Sequence, residues 1–246
     1  MHHQLAPEVG ATACDFEGTW AVFDGPESPM TQTFGLGVFA PITADSLAAI
    51  EAFFETRGAA PMHEVSPLGG VATFALLVER GYRPIELSTV LVQATDGRVE
   101  APSSPTLRVR AIGPADHRAW IDTSAIGWSD DPAIARIVRP LAEIATANPA
   151  MVHYVVERDG APIATASMGT HEGVALLAGA STIPSGRGLG AQAMLLAARL
   201  ADARKRGCEI AMMVTEPGST SQRNAERRGF RVAYTRTKWR LERRAA

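Results

Sequence analysis

The sequence has few of the residues that build disulfide frameworks, metal sites and basic surfaces. Cys14 and Cys208 are its 2 cysteines, and its 6 histidines show no spacing typical of metal ligands. We therefore expect neither a disulfide framework nor a metal site. Lys205 and Lys238 are the only lysines, and the formal net charge is −2. This charge gives no reason to expect a nucleic-acid partner.

Long apolar runs are also missing. No stretch approaches the ~20 apolar residues that a membrane-spanning helix needs, so we expect no membrane association. The first residues, Met1 to Leu5, lack the basic and then apolar order of a secretory signal. Together with the scarcity of cysteine, this favours a cytoplasmic protein. The hydrophobic content of 46% is typical of one large or two small globular domains.

The glycine-rich segment Thr182–Gln192 is the most informative part of the chain. It follows an apolar run, Val174–Ser181, which predicts a strand, and it leads into a helical pattern over Ala193–Arg206. A glycine-rich turn between a strand and a helix directs several backbone N–H groups to one point, and the helix N-terminus adds partial positive charge there. The segment therefore predicts a phosphate-binding site.

Around this segment the chain alternates between strand and helix. A polar stretch with two prolines precedes the alternation and predicts a linker over residues 97–105. Asp131 is placed to cap a helix whose first residue is Pro132. The predicted strands are Leu107–Ile112, Met151–Glu157, Pro162–Met168, Val174–Ser181, Glu209–Thr215 and Arg231–Trp239, and the predicted helices are Pro114–Ile126, Pro132–Ala147, Ala193–Arg206 and Ser219–Arg228.

The first half of the chain repeats the later part of this pattern. Gly81-Tyr82 precedes Gly229-Phe230 by 148 residues, and a helical pattern over Asp45–Thr56 corresponds to the helix after the glycine-rich segment. A predicted strand over Thr33–Phe39 corresponds to the strand before it. We infer an internal duplication, with domains at residues 1–96 and 106–246.

The two halves differ where the phosphate would bind. The N-terminal half has Ala40–Asp45 in place of the glycine-rich segment, and these residues include no glycine. A proline and side chains would keep a diphosphate away from the backbone there. Only the C-terminal half is therefore predicted to bind the phosphate ligand.

The element order from Leu107 to Trp239, with a glycine loop after the fourth strand and the later pair Gly229-Phe230, resembles the GCN5-related N-acetyltransferases. The N-terminal half resembles a degenerate copy without the first strand and the two helices that follow it. The resemblance implies an α/β (α+β) fold with a mixed, mostly antiparallel sheet flanked by helices. It also implies an acetyltransferase that moves an acetyl group from acetyl-CoA to a small-molecule or peptide amine.

The family loop reads Gln/Arg-x-x-Gly-x-Gly/Ala, and two registers fit it, one starting at Arg187 and one at Ser185. Pro184 favours Arg187, because the family commonly has a proline three positions before the basic residue. The loop would hold the diphosphate, and the edge of the preceding strand would bind the pantetheine arm. The residues that the resemblance implies in binding acetyl-CoA are Ala180, Ser181, Thr182, Arg187, Gly188, Leu189, Gly190, Ala191, Gln192, Ala193 and Asn224.

The sequence departs from the family at the position of the general acid. Many members carry a tyrosine four residues before the glycine of Gly-Phe, where it protonates the departing thiolate, and here that position is Ala225. Glu216 and Tyr234 are the candidate catalytic groups, and His171 and Glu172 are further acid–base candidates. Glu216, His171 and Glu172 have an alternative reading as ordinary solvated turn residues.

Two other functions stay open. The replacement of the tyrosine by Ala225 leaves room for a non-catalytic CoA-binding or regulatory module. The pattern Gly186-x-Gly188-x-x-Ala191 also matches a dinucleotide fingerprint. However, the chain after it is too short for the second half of a Rossmann domain, which disfavours an NAD-dependent enzyme.

Overall fold

The computed structural model describes residues 7–97, 102 and 104–242. The described residues form two compact units. Unit 1 lies within Met1–Val90, Thr215–Asn224 and Val232–Ala246, and unit 2 lies within Leu91–Val214 and Ala225–Arg231. Residues 98–101 and 103 of the predicted linker lie outside the described residues. The boundaries 1–96 and 106–246 stay a prediction.

The chain has eleven strands and six α-helices in its described part. The strands are β1 (Thr12–Phe16), β2 (Thr19–Phe23), β3 (Gln32–Phe34), β4 (Met62–Val65), β5 (Tyr82–Ala94), β6 (Leu107–Ala111), β7 (Met151–Arg158), β8 (Ala161–His171), β9 (Val174–Thr182), β10 (Ile210–Thr215) and β11 (Arg231–Leu241). The helices are α1 (Ala44–Glu55), α2 (Gly70–Arg80), α3 (His117–Gly127), α4 (Pro132–Ala147), α5 (Ala191–Lys205) and α6 (Thr220–Arg227).

In unit 2 the strands follow the order β10-β9-β8-β7-β6. The neighbours from β6 to β9 are antiparallel, and β10 runs parallel to β9. Helix α5 packs Leu195 and Leu200 against one face of these strands, where Met168 is fully buried. The other face packs against Trp120 of α3 and Ala142 of α4. The predicted fold, a mostly antiparallel mixed sheet flanked by helices, is confirmed.

In unit 1 the strands follow the order β1-β2-β3-β4-β11-β5. Helices α1 and α2 supply the core, with Phe54 and Leu77 buried beside Val65 and Trp239. Complete burial of an aliphatic or aromatic side chain of this size stabilises a fold by roughly 1.5–3 kcal/mol.

The same order of elements, β-β-β-α-β-α-β, occurs twice along the chain. It runs once from β1 to β5 and once from β7 to β11. The first helix of each set starts at Ala44 or Ala191, and the last strand of each set starts at Tyr82 or Arg231. Strand β6 and helices α3 and α4 precede only the second set, as the predicted duplication requires.

The predicted strand over Thr33–Phe39 is wrong beyond Phe34. Gly35 and Gly37 take φ angles of +78° and +72°, which place them in the left-handed region. Strands do not use that region, so the chain turns there instead of extending. The predicted strands and helices of the later half begin and end within about three residues of the observed ones.

Among the described residues, no helix is long and apolar enough to span a membrane. The same residues contain no group of three or more His, Cys, Asp or Glu side chains arranged to hold a metal ion.

His63 of β4 is a fully buried histidine in the core of unit 1. Its Nδ1 is 2.9 Å from Thr33 Oγ1, and its Nε2 has no partner among the described residues. Burial lowers its pKa to about 3, because a charged imidazole would lose its hydration there. His63 is therefore neutral in the folded protein at ordinary pH.

This burial predicts an acid-dependent loss of stability. The unfolded chain binds a proton on His63 below pH 6.5, whereas the folded protein does not until about pH 3. Between these values the unfolding free energy falls as the pH falls, by up to about 1.4 kcal/mol per pH unit from this group. His63→Leu should flatten the pH dependence measured by urea denaturation. His171→Leu, at an exposed position, is the control, and an unchanged slope in His63→Leu would contradict the assignment.

Candidate functional site

The glycine-rich segment enters α5 through three glycines that serve two different purposes. Gly188 and Gly190 have φ angles of +76° and +87°, and a Cβ built on either meets no atom within 4 Å. Both glycines therefore give the backbone a left-handed conformation and leave the space beside it open. At Gly186 a Cβ would lie 3.0 Å from Ile163 Cβ, so this glycine permits close packing onto β8.

The N-terminus of α5 has no side-chain cap. The N–H groups of Ala193 and Met194 donate to the carbonyl of Gly190, at 3.0 and 3.2 Å. Within the described residues, the N–H groups of Gly188–Gln192 donate to no protein acceptor. Unpaired donors and the helix dipole together favour an anion at this point.

Helix α1, which holds the corresponding place in the N-terminal half, is closed at the same end. Thr43 Oγ1 accepts from the Ser46 N–H at 3.2 Å, and Ser46 Oγ accepts from the Thr43 N–H at 2.9 Å. This capping box satisfies donors that the equivalent end of α5 leaves open. The contrast supports the prediction that Ala40–Asp45 binds no phosphate.

Strand β9 contains a β-bulge that the sequence analysis did not find. Thr165 pairs with Ser181 and Ser167 pairs with Ala178, so two residues of β9 between these pairs oppose one residue of β8. The extra residue falls at Gly179, which has a φ of +60°. A glycine inside an otherwise apolar strand pattern was the available signal for it.

The bulge reverses the face of the sheet toward which the later side chains of β9 point. Leu177 and Ala180 both contact the core beside α5, although they are three residues apart. Ser181 consequently faces α3, where its Oγ is 2.9 Å from Thr165 Oγ1 and donates to the Ser124 carbonyl at 3.5 Å. The side chains of Ala180 and Ser181 are thus occupied inside the protein, and only their backbone groups remain for a ligand.

The parallel pairing of β9 with β10 stops early. Three pairs join them, from Ile210–Val174 to Met212–Leu176. Beyond Leu176, β9 continues for six residues to Thr182, and no described strand pairs with these residues on that side. An unpaired strand edge can accept an extended amide chain through backbone hydrogen bonds.

Gln192 connects this edge to the glycine-rich segment, since its Nε2 donates to Thr182 Oγ1 at 2.7 Å. The structure therefore brings the predicted strand edge and the predicted anion site into one continuous region of unit 2.

Arg187 turns its side chain toward the connection between α3 and α4. Its guanidinium forms an ion pair with Asp130 and donates to the carbonyls of Gly127, at 3.4 Å, and Thr182, at 3.3 Å. The predicted ligand-binding arginine thus has protein partners, and a role toward the ligand stays a prediction.

Glu216, Asn224 and Tyr234 belong to unit 1, whereas the glycine-rich segment belongs to unit 2. Glu216 and Asn224 are exposed, and Tyr234 is half-buried on β11. Their predicted roles stay predictions. Ala225, at the position of the family's tyrosine, is buried in the core of unit 2.

His171 and Glu172 are not placed for acid–base chemistry beside the glycine-rich segment. His171 ends β8 and Glu172 lies in the turn to β9, with side chains 89% and 85% exposed. This turn lies at the start of β9, whereas Thr182 ends the strand nine residues later. Nine residues of strand correspond to about 30 Å.

His153 and Ser167 form a buried polar pair that sequence reasoning missed. Ser167 Oγ is 2.9 Å from His153 Nδ1, and His153 Nε2 is 3.0 Å from the Ala145 carbonyl. A carbonyl only accepts, so Nε2 carries the proton and the Ser167 hydroxyl donates to Nδ1. Burial lowers the pKa of His153, which keeps the imidazole neutral.

The model of the Acetyltransferase (GNAT) family matches residues 117–230. This segment is a GNAT-family domain. It includes α3, α4, the bulged strand and the open end of α5, whereas β6 precedes it and β11 follows it. The comparison with curated proteins gave no match.

Solved structures extend the likeness to the N-terminal half. A GCN5-related N-acetyltransferase from Kribbella flavida has 19% identity and a TM-score of 0.73, over 98% of this chain and 93% of that one. One from Sphaerobacter thermophilus has 16% identity and a TM-score of 0.64, over 94% and 75%. A tandem GNAT protein from the clavulanic acid biosynthesis pathway has 14% identity and a TM-score of 0.65, over 92% and 79%. At these identities the likeness establishes the fold.

The contact between α3 and the bulged strand predicts a large effect of a small substitution. A Cβ on Gly127 would lie 2.6 Å from Ser181 Oγ and 2.7 Å from Ser181 Cβ. Gly127→Ala should lower the unfolding free energy by about 1–3 kcal/mol, because α3 and β9 must move apart to accommodate the added methyl group. Gly113→Ala, where a Cβ meets nothing within 4 Å, is the matched control. Equal melting temperatures for the two variants would contradict the packing described.

Proposed function

We propose that this protein transfers an acetyl group from acetyl-CoA to an amine by direct attack of the amine on the thioester. The observation that carries the proposal is the uncapped start of α5, with Gly188 and Gly190 open in front of it. The adjoining free edge of β9 supports it. The GNAT-family match supports acetyl transfer in general, and the donor and acceptor are our inference.

The N–H groups of Gly188–Ala193 would hold the diphosphate of acetyl-CoA. The open space at Gly188 and Gly190 fits this ligand, because no side chain stands between it and the backbone. The edge residues Ala180–Thr182 would bind the two amides of the pantetheine arm, as one strand binds another. Leu189 would lie over the glycine-rich segment. We also assign Asn224 to the binding of the pantetheine arm.

Acetyl-CoA would supply an activated acetyl thioester. A backbone N–H of β9 would polarise its carbonyl and orient it. The amine nitrogen forms a bond to the carbonyl carbon, the C–S bond breaks, and its electron pair leaves with sulfur. Glu216 is our candidate to accept the amine proton, and Tyr234 is our candidate to donate one to the sulfur.

We assign the acceptor to the class of small-molecule or peptide amines, because direct attack requires a neutral nucleophilic nitrogen. A cytoplasmic location is part of the same proposal.

A non-catalytic CoA-binding module is the second candidate. The buried Ala225 favours it, because the position that carries the general acid in many GNAT proteins has no proton to donate here. Such a module would bind CoA at the glycine-rich segment and would catalyse no acetyl transfer.

Ligand binding is tested first by calorimetry with acetyl-CoA and CoA. Gly188→Asp or Gly190→Glu should abolish binding, because a carboxylate would enter the space that the diphosphate needs. The matched control is Gly207→Asp, at the other end of α5, where φ is also +76° and a Cβ meets nothing within 4 Å. Absence of wild-type binding, or thermal protection by NAD and not CoA, would refute the proposal.

Catalysis is tested by incubating the protein with acetyl-CoA and a panel of amines. We expect release of CoA together with an acceptor that gains the mass of one acetyl group. Gly188→Asp should reduce this turnover to background, and Gly207→Asp should retain it. Tight CoA binding without turnover of any amine would favour the non-catalytic module.

A further inference from the structure

Arg199 of α5 is among the largest fully buried side chains in the described part of the protein, with 2% exposure. Its Nε donates to the Leu195 carbonyl at 3.2 Å. One terminal nitrogen donates to the carbonyls of Ser167, at 3.2 Å, and Ala178, at 3.4 Å. The guanidinium therefore connects its own helix to two adjacent strands.

Arg199 forms no ion pair within the residues that the structure describes. The nearest acid on its helix, Asp202, accepts from the Tyr154 hydroxyl at 2.5 Å and from Arg206 Nε at 3.0 Å. Burial lowers the pKa of Arg199 to about 10, so it stays charged near neutral pH. A buried charge balanced only by carbonyl dipoles lowers the stability of the fold. Its presence therefore indicates a functional role for this arginine.

The two carbonyls that Arg199 binds belong to the last regular pair before the bulge. Ser167 faces Ala178 there, and the extra residue Gly179 follows immediately. On the opposite face, Ser167 Oγ would lie 3.6 Å from a Cβ on Gly179. The bulge is thus held by Arg199 on one side and by the Ser167–His153 pair on the other.

We propose that Arg199 is a positioning residue for the thioester end of the acyl donor. It fixes the bulge through the Ser167 and Ala178 carbonyls, and it places an unpaired positive charge behind the strand edge where the arm would end. This inference rests on the function proposed above. If the arm runs from Thr182 toward Gly179, the thioester lies beside this charge.

The charge would matter when the C–S bond breaks and its electron pair moves onto sulfur. Because Ala225 donates no proton, negative charge builds on the sulfur before Tyr234 protonates it, and a nearby buried cation stabilises that charge. The titratable groups that face Arg199 do not cancel the effect. Burial raises the pKa of Tyr154, so its hydroxyl stays neutral, and His153, which is neutral as well, lies on the opposite face of the sheet.

The test compares Arg199→Met and Arg199→Lys with Arg204→Met, an exposed arginine of the same helix. The measurements are kcat, KM for acetyl-CoA, CoA affinity by calorimetry, and the pKa of the bound CoA thiol from thiolate absorbance. Arg199→Met should lower kcat about 100-fold. It should raise the bound thiol pKa by about one unit and change CoA affinity by less than about threefold.

Arg199→Lys separates charge from shape. Lysine keeps the charge but lacks the planar fork, so the thiol pKa should stay near the wild-type value while kcat falls about tenfold. Arg204→Met should match the wild type in every measurement. A role in folding alone would lower the melting temperature and leave kcat and the thiol pKa of the folded fraction unchanged.

Two results overturn the proposal while CoA binding stays intact. The first is a folded Arg199→Met variant with wild-type kcat and thiol pKa. The second is a crystal structure of the wild type with CoA in which the sulfur lies away from Gly179, and it decides the question even if neither variant folds. Failure of the wild type to bind CoA would instead refute the proposed function.

Discussion

One extra residue in β9 is the constraint on which the site depends. With regular alternation, Ser181 would face the same side as Ala175 and Leu177. The bulge at Gly179 moves Ser181 to the side of α3 and returns Ala180 to the core beside α5. This exchange keeps both side chains occupied in packing, and the early end of the β9–β10 ladder leaves the adjoining backbone edge of β9 unpaired among the described residues. Arg199 and Ser167 hold the bulge from opposite faces, which explains how the irregular strand persists next to a regular one.

The two halves show how similar element orders can lead to different chemistry at the start of a helix. In α1, Thr43 and Ser46 satisfy the first N–H groups with their own side chains. In α5, Gly190 supplies no side chain, so the same kind of donors remain open to a ligand. The difference lies in a few residues and requires no change in the surrounding fold. It is also local, so it could be predicted from the absence of glycine in one half and its abundance in the other.

Local patterns also predicted the order of elements, the glycine-rich turn and the Asp131 cap, whose Oδ1 accepts from the Ile134 N–H. The prediction failed at Thr33–Phe39, where two glycines in left-handed conformations outweigh an apolar pattern. The bulge was missed because register depends on the partner strand, which local sequence does not contain. Arg199 was missed because it stands among other arginines on a helix, and only the packing of that helix distinguishes it from its exposed neighbours.

The early end of the β9–β10 ladder also has a consequence for the behaviour of the protein in solution. An unpaired strand edge can template pairing with the edge of a second molecule, which is a route to aggregation. A ligand seated on β9 would cover the same backbone groups that such pairing uses. Occupancy of this edge would therefore protect the chain from self-association as well as serve transfer, and it would stabilise the folded state in proportion to the ligand concentration.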